Sequence, residues 1–297
     1  MFPIEISDKG GPIMTGTLDF ELERKTSWCP GCGNFPIRKA LVQALEELNL
    51  APDKVLVVSG IGQAAKMPHY LNVNGFNGLH GRALPSAVAA KVANPDLQVI
   101  LVSGDGDSYG EGGNHFLHNL RRNPNIAHFV HNNQIYGLTK GQASPTSELG
   151  MVTGIQTSGV INEPLKPLSM AISHDAGFVA RGFSGKQDHL KELMKQAIKY
   201  PGYGLVDILQ PCVSFNKLNT FAWYNNRVSQ LEDHDPMDKT SAIQKAEEWG
   251  DEIPIGVFYK SQRPPFEEQL PGLKKGNLVK NRIVNPEDMA YLQEEFK

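Results

Sequence analysis

The chain of 297 residues has no run of about 18 consecutive apolar residues, so we expect no helix that spans a membrane. Residues 1–20 lack the basic region and apolar segment of a secretory signal, and a cytoplasmic location is the default expectation. Basic charge is not in excess either: the net charge is −3, and no basic stripe is interleaved with aromatic residues. We therefore expect no nucleic-acid partner.

Cysteine is scarce, and an odd count argues against a framework of paired disulfides. Cys29 and Cys32 form a C-x-x-C pair, and Cys212 stands alone far downstream. The pair fits a thioredoxin-like redox site, half of a zinc site or an iron–sulfur anchor. Cys212 is then either a third thiolate of such a site or a buried, inert thiol.

The apolar residues alternate between strand and helix patterns. Nearly continuous apolar runs predict buried strands at 55–58, 97–102, 126–130 and 204–209. Helical spacing predicts helices at 34–50, 84–93, 111–122 and 187–199, and residues 170–182 are predicted to form a helix followed by a strand. This alternation indicates an α/β fold with a doubly wound, mostly parallel sheet.

Composition divides the chain into three parts. Residues 1–24 are predicted to form an extended N-terminal arm, and residues 25–230 one α/β domain. Residues 231–297 shift towards charge and proline, and we expect a C-terminal extension without its own core, which wraps this subunit or a neighbour. Residues 136–168, rich in glycine, threonine, serine and proline, are predicted to be a functional or mobile loop.

The most informative pattern is Gly104-Asp105-Gly106 after one predicted strand and Asn132-Asn133 after the next. The carboxyl ends of neighbouring parallel strands lie at one edge of a sheet, so these side chains should converge. A carboxylate, an amide and a nearby main-chain carbonyl suit a Mg²⁺ ion that also contacts a diphosphate. GDG alone is common turn chemistry, but the preceding strand, the spacing and the asparagine pair favour a binding site.

Further candidate residues follow the first predicted strand. Gly60-Ile61-Gly62 permits close approach of the backbone to a phosphate-bearing ligand. His80 is a candidate donor to a diphosphate oxygen or a reacting carbonyl, with Arg82 as an anion clamp, although a structural role for His80 explains the sequence equally well. Lys66 either pairs with a distal carboxylate of a substrate or is a solvated lysine.

Together, these patterns resemble the β subunit of the 2-oxoacid:ferredoxin oxidoreductases, in particular the 2-oxoglutarate type, over residues 25–235. The matching segments are WCPGCG at 28–33, VSGIG at 58–62, LHGRALP at 79–85, GDGD at 104–107, NQIYGLTKGQ at 133–142, SPTS at 144–147 and QPC at 210–212. The resemblance implies the CoA-dependent oxidation of a 2-oxoacid, with thiamine diphosphate, Mg²⁺ and an iron–sulfur cluster as cofactors and ferredoxin as electron acceptor.

The resemblance also implies roles for individual residues. Mg²⁺ is expected on Asp105, Asn133 and the carbonyl of Ile135. Thiamine diphosphate is expected to contact Ile61, Gly62, Gln63, Ala64, His80, Gly104, Gly106, Asp107, Gly137 and Leu138. Lys66 is expected to recognise the substrate and Lys140 coenzyme A, and the catalytic candidates are His80, Arg82 and Lys66.

The cluster ligands implied by the resemblance are Cys29, Cys32 and Cys212. Gln63 stands where the family usually has a fourth cysteine. The alternatives are a 4Fe-4S cluster with one non-cysteine ligand, a 3Fe-4S cluster, or loss of the cluster. Because the other three cysteines remain, we expect a bound cluster.

One predicted α/β domain accounts only for the diphosphate half of a thiamine site. A carboxylate beside the aminopyrimidine ring normally comes from a second domain, so we expect an α subunit that carries a pyrimidine-binding domain, in an αβ or (αβ)₂ assembly. Two alternatives remain open. One is a thiamine diphosphate-dependent decarboxylase or synthase without electron transfer, and the other is a non-catalytic iron–sulfur or zinc scaffold subunit.

Overall fold

The computed structural model describes residues 19–280 together with Ala290 and Glu294. Within that part of the chain, an eight-stranded sheet has the strand order β2-β1-β3-β4-β8-β7-β10-β9. The strands are β1 (Val55–Ser59), β2 (Asn74–Asn77), β3 (Gln98–Gly104), β4 (Ile126–Asn132), β7 (Phe178–Phe183), β8 (Tyr203–Leu209), β9 (Val228–Gln230) and β10 (Ile253–Lys260). Strands β5 (Ile135–Tyr136) and β6 (Gln142–Ala143) form a separate antiparallel pair.

Helices pack on both faces of the sheet. They are α1 (Asn34–Glu47), α2 (Ala83–Ala93), α3 (Gly113–Arg122), α4 (Pro167–Ser173), α5 (Gln187–Lys199), α6 (Phe221–Asn225) and α7 (Lys239–Glu247). Among the described residues, no helix has the length and the apolar composition needed to cross a lipid bilayer.

The core has one layer on each face of the sheet, because the side chains of strand β3 alternate between the two faces. Ile100 and Val102 belong to a cluster with residues of α1 and α5. Val99 and Leu101 belong to a second cluster with residues of α2, α3, α4 and α7. Successive side chains of a strand point to opposite faces, so a strand covered on both faces is apolar throughout. The predicted doubly wound α/β fold is confirmed.

Several strand ends meet at one edge of the sheet. β1, β3, β4, β8 and β7 are parallel to their neighbours in this order. The register pairs Gly104 with His131 and Asn132 with Leu209. The residues that follow β3, β4 and β8 therefore lie side by side, as the sequence predicted for the first two.

The structure differs from the sequence-based expectation after residue 230. β10 runs antiparallel to β7 within the central sheet, and Ile253, Ile255 and Phe258 are fully buried. Residues of α7 and β10 thus contribute to the core of this subunit, where the sequence predicted no strand. Most of residues 1–24 of the predicted arm, and residues 281–289, 291–293 and 295–297 of the predicted extension, lie outside the described residues.

A second difference concerns the helix predicted at 111–122. Gly106–Glu111 forms a π-helical turn with Asp105 at its start, and α3 begins only at Gly113. π-helical turns are rare and often occur at functional sites. This turn places Asp105 and Asp107 directly at the sheet edge.

Candidate active site

A cleft at the carboxyl edge of the sheet brings together the residues predicted to bind cofactor. Its walls come from the turns after β1 and β3 and from the segment after β4. The lining residues are Ile61, Gly62, Gln63, Ala64, His80, Gly104, Asp105, Gly106, Asp107, Asn133, Ile135, Tyr136, Gly137, Leu138 and Thr139. Every residue predicted to contact thiamine diphosphate or Mg²⁺ lines this cleft, which we call the cofactor cleft.

Asp105 has a buried carboxylate, and one of its two oxygens accepts both hydrogen bonds from side-chain hydroxyl groups. Its Oδ2 accepts from Ser144 Oγ at 2.5 Å and from Thr146 Oγ1 at 2.7 Å. Burial raises the pKa of Asp105 to about 6, while the two hydroxyl groups act in the opposite direction. The SPTS segment, which follows β6, therefore holds this carboxylate in place.

The adjacent asparagines Asn132 and Asn133 have different surroundings. Asn132 Nδ2 donates to the carboxylate of Asp207 at 3.1 and 3.2 Å, and its Oδ1 lies 2.8 Å from Thr146 Oγ1. Tyr109 donates its hydroxyl to Asp207 as well. Asn132 is thus part of a buried polar network, and Asn133 is the one that lines the cleft.

The amide of Asn133 is held at both ends. Ile135 N donates to Asn133 Oδ1 at 3.0 Å, and Asn133 Nδ2 donates to Gln210 Oε1 at 3.0 Å. Gln134 between them has a positive φ of 57°, which turns the chain sharply after β4. Asn133 and Ile135, on either side of this turn, both line the cofactor cleft.

Asp107 ties two neighbouring turns to the π-helical turn. Its Oδ1 accepts hydrogen bonds from Gly81 N at 2.8 Å and from Ile61 N at 3.1 Å, and His80 Nδ1 lies 2.7 Å away. Burial raises the pKa of Asp107, and the two amides and His80 oppose that rise. A Cβ on Gly60 would clash with this carboxylate, so glycine is required there.

Tyr136 is a cleft residue that the sequence did not single out. Its ring packs on Gly106, where a Cβ would clash with the ring, and its hydroxyl donates to Glu111 at 3.1 Å. Burial and the neighbouring Glu111 raise the pKa of Tyr136. The second glycine of the GDG turn, Gly106, is therefore needed for packing against Tyr136.

The three cysteines line a second pocket, which we call the cysteine pocket. Its lining is Trp28, Cys29, Cys32, Asn34, Gln63, Asn133, Gly137, Gln210, Cys212, Val213, Ser214 and Phe215. Gln63, Asn133 and Gly137 also line the cofactor cleft, so the two cavities are contiguous. All three thiols are free, and burial raises the pKa of Cys32 to about 11.

Gln63, which lines both cavities, has a side-chain oxygen without a hydrogen-bond partner among the described residues. This oxygen, Oε1, is buried, while the main-chain carbonyl of Gln63 accepts from Trp28 Nε1 at 2.8 Å. In the described chain, no three His, Cys, Asp or Glu side chains converge as ligands of a single ion. Thiols around a multi-iron cluster bind different iron atoms, so they need not converge in that way.

Three predicted side chains line neither the cofactor cleft nor the cysteine pocket. Lys66 lies beyond Gln63 in a 3₁₀ segment, and its Nζ donates to Ser27 Oγ at 3.0 Å. Arg82 is exposed directly before α2. Lys140 is exposed in the turn between β5 and β6, with a positive φ of 75°.

A larger cavity of about 310 Å³ lies on the other side of Thr146. Arg181, Asp207 and Trp249 are among its lining residues. It contains none of the residues predicted to bind cofactor. The chemistry-bearing groups lie in the smaller cofactor cleft, and we assign the candidate active site to that cleft.

Comparison with known proteins is consistent with this geometry. Residues 57–208 match the family model "Thiamine pyrophosphate enzyme, C-terminal TPP binding domain", and residues 212–275 match the model for the C-terminal part of the pyruvate ferredoxin oxidoreductase β chain. The chain is 47% identical over 256 residues to the 2-oxoacid:ferredoxin oxidoreductase subunit beta of Saccharolobus solfataricus, covering 82% of this chain and 84% of that protein. The chain belongs to the 2-oxoacid:ferredoxin oxidoreductase β subunits.

Two further relatives of this chain have names of the 2-oxoglutarate type. The 2-oxoglutarate oxidoreductase subunit KorB of Mycobacterium tuberculosis is 43% identical over 198 residues, which cover 67% of this chain and 53% of that protein. A solved 2-oxoglutarate:ferredoxin oxidoreductase from Magnetococcus marinus matches with a TM-score of 0.86 and 34% identity, over 92% of this chain and 94% of that chain. That structure has 2-oxoglutarate, coenzyme A and succinyl-CoA bound. The predicted family is confirmed.

Proposed function

We propose that this β subunit, together with an α subunit, oxidises 2-oxoglutarate in the presence of coenzyme A. The products are succinyl-CoA, CO₂ and two electrons for ferredoxin, and the same site serves the reverse reaction. The observation that carries the proposal is the contiguity of the cofactor cleft with the cysteine pocket. The names of the relatives and the molecules bound in the Magnetococcus structure support this substrate.

The cofactor cleft suits a magnesium-bound thiamine diphosphate. Asp105, Asn133 and the carbonyl of Ile135 offer the hard oxygen donors that Mg²⁺ prefers. A Cβ added at Gly62 or Gly104 would meet no atom within 4 Å, so open space borders the backbone where a diphosphate would lie. Bound thiamine diphosphate supplies the electron sink for decarboxylation of a 2-oxoacid.

The protein's own side chains in and around the cleft bind and orient the cofactor and the substrates. We assign His80 as a donor to the diphosphate or to the reacting carbonyl, with its Nδ1 held beside Asp107. Arg82, exposed near the mouth, is assigned as an anion clamp. Lys66 and Lys140 are assigned to the distal carboxylate of the substrate and to coenzyme A. Both lie outside the cleft lining, where a substrate approaching from solvent would meet them.

The cysteine pocket suits an iron–sulfur cluster. Its donor set is Cys29, Cys32 and Cys212, and thiolates are the usual ligands of such clusters. We assign Gln63, whose buried Oε1 has no partner among the described residues, to the position where the family usually has a fourth cysteine. Such a cluster would accept electrons one at a time beside the cofactor cleft and pass them to ferredoxin.

The partner completes the site. Residues 25–230 form the unit that holds the diphosphate and the cysteines, and residues 231–297 are the C-terminal extension, whose strand β10 joins the same sheet. The two matched family models meet near residue 210, before this boundary, and Cys212 lies in the second of them. We assign the pyrimidine-binding domain, with its carboxylate, to an α subunit in an αβ or (αβ)₂ assembly.

Co-expression with the α subunit tests the proposal. The purified complex should contain iron and sulfide and reduce ferredoxin only when 2-oxoglutarate and coenzyme A are both present. Release of an aldehyde without ferredoxin reduction would identify a decarboxylase instead. A complex that binds iron or zinc but no thiamine diphosphate would identify a scaffold subunit.

A further inference from the structure

We propose that Gln210 is a positioning residue that links the two cofactor sites through the two ends of its side-chain amide. The carbonyl end fixes the amide of Asn133, and the NH₂ end donates to the sulfur of Cys32. This inference rests on the proposed function, because it assumes that Asn133 serves the metal and that Cys32 serves the cluster.

Gln210 lines the cysteine pocket and contacts Asn133, which lines both cavities. It follows β8 directly, is 1% exposed, and its backbone N donates to Asn132 O at 2.9 Å. Its Nε2 donates to Pro211 O at 2.8 Å and to Cys32 Sγ at 3.6 Å. Its Oε1 accepts from Asn133 Nδ2 at 3.0 Å. Each polar atom of the amide therefore has a partner.

The partners determine which way this amide points. The carbonyl of Pro211 only accepts hydrogen bonds, so the NH₂ end of Gln210 must face it. The oxygen end then faces Asn133, which must present its own NH₂ group. Asn133 Oδ1 consequently points towards Ile135 N and the cofactor cleft. A reversed Gln210 would place two oxygens against each other and leave buried donors unsatisfied.

The cysteine side of the contact is equally constrained. A Cβ on Gly33 would lie 2.8 Å from Gln210 Cγ, and Gly33 N donates to Pro211 O at 3.2 Å. The C-x-x-C-G segment is therefore packed directly against Gln210. Hydrogen bonds to ligating sulfurs help set the reduction potential of an iron–sulfur cluster. An N–H donor stabilises the more negative, reduced state, so Gln210 should raise that potential.

Two substitutions separate the two ends of the amide. Gln210→Met keeps the length of the side chain and removes both polar ends. Gln210→Glu keeps an acceptor for Asn133, but it replaces the NH₂ donor to Pro211 O and Cys32 Sγ by an oxygen and adds a negative charge beside Cys32. Gln187→Met is the matched control, because Gln187 begins α5 on the surface and bonds to Gln43.

The experiment uses the co-purified complex and two readouts other than turnover. An EPR-monitored redox titration gives the midpoint potential of the cluster, and calorimetry with excess Mg²⁺ gives the Kd of thiamine diphosphate. Gln210→Met should shift the potential to a more negative value and weaken thiamine diphosphate binding about tenfold. Gln210→Glu should shift the potential to a still more negative value, because it adds a negative charge as well as removing the donor, and it should retain more of the thiamine diphosphate affinity than Gln210→Met does.

Unchanged potential and unchanged Kd in Gln210→Met would overturn the inference. If the Met variant does not fold, the Glu variant decides: an unchanged potential overturns the donor role, and a lost affinity overturns the acceptor role. A wild-type complex without iron or thiamine diphosphate would instead refute the proposed function. The two failures are thereby distinguishable.

Discussion

Neighbouring side chains at the sheet edge have different tasks, and this distinction appears only at the scale of single residues. Asn132 is the last residue of β4 and points towards Asp207, whereas Asn133 points to the cleft. The sequence predicted that an asparagine follows this strand, but the partner that turns Asn132 inward lies 75 residues further along the chain. Likewise, the sequence named Asp107 but not the two amides that it holds.

A Cβ on Gly60 should destabilise the fold. In Gly60→Ala the methyl group would clash with the carboxylate of Asp107, and overpacking of this kind costs about 1–3 kcal/mol. Urea unfolding measures the free energy of unfolding. Gly113→Ala is the control, because a Cβ on Gly113, at the start of α3, meets no atom within 4 Å. Equal stability of the two variants would contradict this account of Gly60.

A substitution of Lys66 tests whether this lysine binds the distal carboxylate of the substrate. Lys66→Ile should lower kcat/KM for 2-oxoglutarate more than for pyruvate, because only 2-oxoglutarate carries a second carboxylate. The loss of one charged hydrogen bond predicts a difference of about tenfold or more. Lys54→Ile is the control, since Lys54 is exposed beside Asp53. Equal losses on both substrates would argue against this role.

At the scale of elements, the sequence predicts the helices and strands with strong periodicity. α5 has the predicted bounds, and β1, β3, β4 and β8 lie within one to two residues of the predicted strands. β2 was missed because its four residues, Asn-Gly-Phe-Asn, are all exposed and show no alternation. β10 was missed because Pro254 and Gly256, with a positive φ of 142°, interrupt its apolar pattern.

Helices α1 and α5 are joined by an exposed charge cluster whose effect should depend on pH. Glu47 of α1 contacts Lys191 and Lys195 of α5, each at 2.6 Å, and these lysines lower the pKa of Glu47 from its ordinary value of 4.5. Because the folded-state pKa is lowered, the stabilisation is present above pH 4.5 and is lost as the pH falls through the folded-state value.

Glu47→Gln should therefore lower the Tm slightly at pH 7, and less so at about 0.5 M salt, since exposed pairs are weak and screened. At a pH well below 4.5 the Tm values of wild type and variant should coincide. Glu46→Gln is the control, because no ion pair of Glu46 is found among the described residues. A Tm difference that grows as the pH falls would contradict a stabilising role of the Glu47 ion pairs.

At the scale of the whole molecule, the topology assembles the site from distant segments. The start of α1 and the end of β8 meet at the sheet edge, where Gly33 N donates to Pro211 O. This contact brings Cys29 and Cys32 near Cys212, although more than half of the chain separates them. The GDG motif and the asparagine pair could be predicted because each directly follows the end of a predicted strand. The contiguity of the two pockets could not be predicted, because it depends on how Gln63, Asn133 and Gly137 pack together.

The β subunit alone should be inactive. The described residues form one large central sheet with the cofactor cleft at its edge, and the proposed partner supplies the pyrimidine-side carboxylate. The isolated subunit, reconstituted with iron, Mg²⁺ and thiamine diphosphate, should not reduce ferredoxin with 2-oxoglutarate and coenzyme A. Addition of the α subunit should restore the activity. Turnover by the isolated subunit would show that the chain contains a complete site.

The central claim is that Asp105 and Asn133 hold a magnesium-bound diphosphate, and calorimetric titration of the αβ complex with thiamine diphosphate tests it most directly. Wild-type complex should bind one molecule per β subunit with Mg²⁺ and none with excess chelator. Asp105→Asn should weaken this binding at least about tenfold, whereas the surface control Asp96→Asn should not. Binding without Mg²⁺, or equal affinity of wild type and Asp105→Asn, would contradict the account.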